Sequence, residues 1–240
     1  MARDGLSLVV GVGSGLGAAL ARCFADAGMD VAVAARSSGK LDGLVAEVEA
    51  RGLGSRAYAC DVTEPKDVAT LFQRVEADLG RPELVVYNAG AFVPAGIMEI
   101  DPADFERCWR VGCFGGFLVG QAAARMMTAR TRAGVPGGTI VFTGATASLR
   151  GSARFANLAV GKFGLRALAQ SMARELGPSG VHVAHVIVDG VIASERSGGQ
   201  TAEESRLDAD AIAPNYLTLH RQPRSAWTHE LDLRPWVEKF

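Results

Sequence analysis

Only four cysteines occur in this chain, Cys23, Cys60, Cys108 and Cys113, and none stands in paired C-x-x-C spacing, which fits a reducing compartment better than a disulfide-held secreted chain. An excess of charge of either sign is also missing: 25 basic and 26 acidic residues leave a formal net charge of -1, spread without long runs. No field exists to gather nucleic acid or an anionic membrane, and neither is expected as a partner. The apolar stretches stop well short of the roughly 20 residues needed to cross a bilayer. Residues 1–5 lack a long apolar region and a secretion-type cleavage site, so a cytoplasmic location is expected. His182 and His185 have no carboxylate or cysteine cluster at ligand spacing, and no metal site is predicted. Tyrosine occurs only at 58, 87 and 216, a scarcity that becomes important below.

What is present suffices for one large core: 240 residues, 48% of them hydrophobic, favour a single domain over 1–240. Short apolar, β-branched runs at 6–10, 30–35, 55–59, 84–87, 139–143 and 182–187 alternate with helical patterns, and 227–233 offers a seventh strand. Continuous apolar strands separated by crossover helices require a parallel sheet covered on both faces. The fold class is therefore α/β, a single doubly wound domain of the Rossmann type, with a parallel sheet of about seven strands flanked by helices. Thr63 with Pro65 and Asp101 with Pro102 predict helix starts, the helices running to about Leu79 and Thr128. A further helix over 153–176 shows a buried stripe at Leu165, Leu168, Met172 and Leu176; a loop is expected over 194–208 and a short helix over 209–220.

The first strand leads directly into Gly11-Val12-Gly13-Ser14-Gly15-Leu16-Gly17 and then a helix from about Ala18 to Ala27. Glycines at 11, 15 and 17 allow a sharp turn and a close approach of backbone to a pyrophosphate, whose charge would rest on free amides at the positive helix end. A dinucleotide is predicted, held by a glycine-rich cofactor half at about 5–90, with substrate and assembly left to about 91–240. The second strand ends Ala35-Arg36, with no acidic residue to accept bonds from ribose hydroxyls. Arg36, helped by Ser37 and Ser38, can instead meet a 2′-phosphate, so NADP(H) is favoured over NAD(H).

With Asn88-Ala89-Gly90 closing the fourth strand and Lys162 in the helix after the fifth, the chain resembles the short-chain dehydrogenase/reductase family from about Leu6 to Ser194. The resemblance implies an oxidoreductase acting on an unidentified small molecule. It implies cofactor contacts at Gly11, Ser14, Gly15, Leu16, Gly17, Arg36, Asp61, Val62, Asn88, Ala89, Gly90, Lys162, Gly190 and Ser194. It also implies a homodimer or homotetramer formed through the helices at about 102–128 and 153–176.

The family's proton chemistry is where the pattern fails. A tyrosine four residues before the lysine gives or takes the proton, its phenol made usable by the neighbouring ammonium. Here that position is Leu158, while the family's substrate-orienting serine maps to Ala145 and its water-holding helical asparagine to Gly112. Lys162 keeps its second family role on the ribose of the nicotinamide half. Ser148 and Tyr87, with Thr146 and Thr143, are the replacement proton donors to test, and His229 with Glu230 is an alternative acid pair. Imines, quinones and activated C=C bonds would suffer least from the loss. The other reading is an inactive NADP(H)-binding sensor, scaffold or partner subunit.

Overall fold

The computed structural model describes residues 4–193 and 206–238. Strands β1 (Leu6–Val10), β2 (Asp30–Ala35), β3 (Ser55–Ala59), β4 (Leu84–Tyr87), β5 (Gly138–Thr143), β6 (Val181–Val188) and β7 (Glu230–Leu233) form one sheet in the order β3-β2-β1-β4-β5-β6-β7. Every neighbouring pair is parallel. The helices are α1 (Leu16–Asp26), α2 (Asp42–Glu49), α3 (Pro65–Asp78), α4 (Pro102–Trp109), α5 (Gly115–Arg132), α6 (Ala156–Leu176) and α7 (Ala209–His220).

Strand periodicity divides the core into two layers. Val9, Val31, Val33 and Val86 face one side, packed with residues of α1, α2 and α7. Leu8, Val10, Val85 and Tyr87 face the other, packed with α3, α5 and α6. Strand order reverses between β1 and β4, so a crevice opens at their carboxyl ends, the usual ligand position in a doubly wound sheet.

Four features differ from the sequence reading. The long helix expected over 102–128 is interrupted by a π-helical turn, Arg110–Phe114, between α4 and α5. At that turn Gly112 lies against Gly161 of α6, so close that a Cβ at 112 would stand 3.3 Å from the Gly161 Cα. The helix expected from 153 starts at Ala156, because Arg154 adopts φ +68°, which no α-helical residue can have. Thr63 does not cap α3: its amide and hydroxyl donate to Asp61 Oδ1 at 2.9 and 2.8 Å, whereas Asp101 does cap α4 by accepting from the Ala103 amide at 2.7 Å. The last strand is shorter than expected, since Trp227 is drawn off to stack on His182 with ring centroids 4.8 Å apart. Among the described residues no helix is long and apolar enough to cross a membrane.

Candidate active site

At the strand-order reversal a cleft of about 450 Å³ is lined by Gly13, Ser14, Gly15, Leu16, Asn88, Gly90, Thr143, Gly144, Ala145, Lys162, Val188, Gly190 and Ile192. A larger hollow of about 790 Å³, bordered by Gly134, Pro136, Pro178 and Arg224, lies at the opposite ends of β5 and β6. It carries no cluster of chemistry-bearing side chains, so the smaller cleft is the candidate.

The glycines of the first turn do two different jobs. Gly11 has φ +93°, and a Cβ there would lie 2.3 Å from the Ala89 nitrogen; at Gly17 one would lie 2.8 Å from the Val12 Cα. These two let the chain pack on itself. At Gly13 and Gly15 nothing of the protein stands within 4 Å of an added Cβ, although both border the cleft. Gly15 supplies no side-chain cap to α1, whose first turn also lacks acidic residues; the Ala18 and Ala19 amides turn back to the Gly15 carbonyl, so the amides ahead of them are the ones a ligand would meet. Bare backbone, open space and uncapped amides fit a pyrophosphate.

Asn88 ties the turn to β4: its Nδ2 donates to the Gly11 carbonyl at 3.0 Å. Arg36, with Ser37, is exposed just beyond β2. Asp61 follows β3, its carboxyl held below the usual range mainly by the Thr63 amide, with help from the Arg36 charge. Val62 is buried beside it, and Gly190 borders the cleft with φ +148°. Ser194 lies outside the described residues. Gly13, Val188 and Ile192 are lining positions the sequence reading missed; proximity to Gly15 and Gly190 was the available signal.

Lys162 of α6 reaches the cleft with only 6% of its surface exposed, and its Nζ donates to the Thr143 carbonyl at 2.7 Å. Burial lowers its pKa from the usual 10.5 to about 8. Between these values the unfolded chain binds the extra proton, so this residue's contribution to stability improves as pH rises from about 8 towards 10.5. Urea unfolding should show the native chain gaining on Lys162→Met over that interval by roughly 2–3 kcal/mol. A constant difference would mean the ammonium is not desolvated.

No tyrosine joins Lys162. Tyr58 of β3 is buried with its hydroxyl donating to Asp78 at 3.2 Å, Tyr216 of α7 places its hydroxyl 3.0 Å from Thr143 Oγ1 inside the core, and Tyr87 has no exposed surface. The Tyr87 hydroxyl donates to the Val111 carbonyl at 2.5 Å, and burial pushes its pKa up, the wrong direction for a proton donor that must also recover as a base. Ser148 is likewise fully buried, below the cleft rather than in it. The structure thus removes both candidate donors from the reaction space. Thr146 donates its hydroxyl to the buried Asp189 at 2.5 Å. His229 and Glu230 do not pair: Glu230 takes Arg166 and His185, while His229 turns to the Val183 carbonyl. Leu158 is half-buried one turn before Lys162, and Ala145 borders the cleft. No group of three metal-ligating side chains occurs among the described residues.

A family model described as short chain dehydrogenase matches residues 6–205. The chain is 34% identical over 205 residues to the 3-oxoacyl-(acyl-carrier-protein) reductase MabA of Mycobacterium avium, spanning 85% of this chain and 72% of that one. It is 29% identical over 202 residues to the L-rhamnose 1-dehydrogenase (NAD(P)(+)) of a Sphingomonas strain, spanning 84% and 78%. Among solved structures, a short-chain dehydrogenase from Rhodopseudomonas palustris superposes with TM-score 0.85 at 39% identity, covering 98% of this chain and 100% of that chain. A metagenomic short-chain oxidoreductase in complex with NADP gives 0.82 at 27% identity, covering 98% and 99%.

Proposed function

The chain belongs to the short-chain dehydrogenase family, and from that premise we propose that it is an oxidoreductase which prefers NADP(H) and acts without the family's tyrosine. Lys162 carries the reading: a buried ammonium has been kept at the cleft wall beside two glycines whose open sides face the same space. When bound there, the nicotinamide supplies or receives hydride. Gly13, Gly15 and the first amides of α1 would hold the pyrophosphate, and Lys162 the ribose hydroxyls next to the nicotinamide. Asp61 and Val62 would meet the adenine, and Arg36 with Ser37 and Ser38 the 2′-phosphate. The solved relative with NADP supports that choice of cofactor.

Around the reacting atoms the chain offers position rather than protons. Alanine at 145, leucine at 158 and glycine at 112 cannot donate, and a missing general acid typically slows proton-coupled transfer about 10²- to 10⁴-fold. The substrates this arrangement suits either carry their proton already, as an iminium does, or spread the developing charge until solvent protonates it, as quinones and enones do.

Calorimetry with NADPH and NADH tests the cofactor, and the loss of reduced-cofactor absorbance with matched imine, quinone, enone and ketone tests the chemistry. Lys162→Ala should weaken both nucleotides roughly 10- to 100-fold, and Arg36→Ala should weaken NADPH by a similar factor while leaving NADH nearly unchanged. An imine should turn over faster than its ketone. Absence of binding by either nucleotide would defeat the proposal, and equal losses at Arg36 would defeat its cofactor preference.

A further inference from the structure

Directly beneath the cleft floor runs a line of polar groups, buried at its upper end and partly exposed at Glu230 and Arg166, that hydride transfer does not use. Ser148 and His185 have no exposed surface. Ser148 Oγ lies 3.4 Å from His185 Nε2, and His185 Nδ1 lies 3.3 Å from Glu230 Oε2. Arg166 donates to both Glu230 oxygens from Nε and Nη2, each at 2.7 Å. Three elements contribute: β6 the imidazole, β7 the carboxylate and α6 the guanidinium.

Each proton in this line can be assigned. Arg166, ahead of every other influence, holds the Glu230 carboxyl below its usual range, so that group only accepts. Burial lowers the His185 pKa to about 4, with Lys162 and Arg166 pushing the same way and Glu230 opposing, so the ring is neutral near pH 7. Its one N–H must therefore sit on Nδ1 and point at Glu230, leaving Nε2 as a lone pair. The Ser148 hydroxyl donates to that lone pair, and the Ser148 oxygen in turn accepts from the Ala145 amide at 3.1 Å. The bonds run one way, from the Ala145 amide to Glu230.

The upper end of this line is the cleft itself, since Gly144 and Ala145 both border it. A Cβ on Gly144 would stand 2.4 Å from His185 Nε2 and 2.9 Å from Ser148 Oγ, so the imidazole reaches the floor only because that residue has no side chain. The order serine, histidine, carboxylate resembles a nucleophile triad. Attack on a substrate is ruled out by the burial of Ser148, whose oxygen is already engaged by an amide.

We propose that Ser148, His185 and Glu230, braced by Arg166, are positioning residues that hold the Gly144–Ala145 backbone fixed against the cleft, where no side chain at 145 can orient the substrate. The function of this array rests on the cleft being the reaction site. Its existence does not, and the test separates the two.

On the ligand-free protein, ring ¹⁵N shifts should show His185 with its proton on Nδ1 at neutral pH, and Ser148→Ala should speed amide exchange of Ala145 about tenfold while β5 and β6 amides stay unchanged. On whichever acceptor the native chain reduces, Ser148→Ala should slow hydride transfer about tenfold at unaltered nucleotide affinity, and Ser148→Thr should restore most of it. A proton on Nε2, or unchanged Ala145 exchange in Ser148→Ala, would refute the array. Loss of rate matched by an equal loss of nucleotide affinity would refute the positioning role. A native protein that bound no nucleotide would instead defeat the cofactor proposal, with both ligand-free readouts still decisive for the array.

Discussion

A chain carrying Leu158→Tyr together with Ala145→Ser should reduce an unactivated ketone about 10²- to 10⁴-fold faster than the native sequence, the usual contribution of a positioned acid. Position 158 precedes Lys162 by one helical turn on α6, so a phenol there shares a face with the ammonium. A neighbouring positive charge favours phenolate and brings the phenol's pKa down towards neutrality. Leu158 is already half-buried, so the ring would replace apolar volume rather than open new surface. A hydroxyl at 145 enters the cleft directly, and the Ala145 amide stays satisfied by Ser148. Steady-state loss of NADPH absorbance with a ketone is the measurement, with nucleotide affinity followed in parallel. Unchanged ketone reduction in a double variant that still binds NADPH would show that the proton groups are not what the native site lacks.

The second large effect is expected at Gly11. Gly11→Ala must place a methyl 2.3 Å from the Ala89 nitrogen and 2.5 Å from its Cα, at φ +93°. Those are backbone atoms, so relief means separating β1 from β4 and breaking the bond from Asn88 to the Gly11 carbonyl. The loss should be on the order of 4 kcal/mol or more, the range of backbone overlap, lowering the melting temperature by roughly 8–16 °C in a chain of this size. Gly13→Ala is the contrast. No protein atom lies within 4 Å of its added methyl, so stability should hardly move while nucleotide affinity falls. Thermal melts and calorimetry on both variants test the pair; equal destabilisation would mean that Gly13, too, serves the fold.

These two glycines illustrate what could be read without coordinates. The motif Gly11 to Gly17 announced a turn and a phosphate cradle, yet spacing alone could not assign which glycines pack and which stay open. Strands were legible because β1, β2 and β4 are apolar on both faces, and their continuous runs leave no periodicity to misread. The break between α4 and α5 was hidden, and so was the approach there of Gly112 to Gly161, which lies far along the chain. The same limit explains the polar array: Ser148, His185 and Glu230 are brought together by the fold, separated by 37 and 45 residues. His229 and Glu230, the alternative acid pair, are kept apart for a local reason, because successive residues of an extended chain point to opposite sides, and Glu230 forms a salt bridge with Arg166, the more ordinary role for a residue at a strand end.

The glycine pair at 112 and 161 bears on how this sequence could change over generations. Positions 145 and 158 can each acquire a hydroxyl by exchange of one residue. At 112 any side chain meets the Gly161 backbone at 3.3 Å, so the π-turn and α6 would first have to draw apart by a few tenths of an ångström. Placing polar side chains at 145, 158 and 112 therefore has a direction built into it: two steps are open from the present chain, and the third waits on a shift of whole helices.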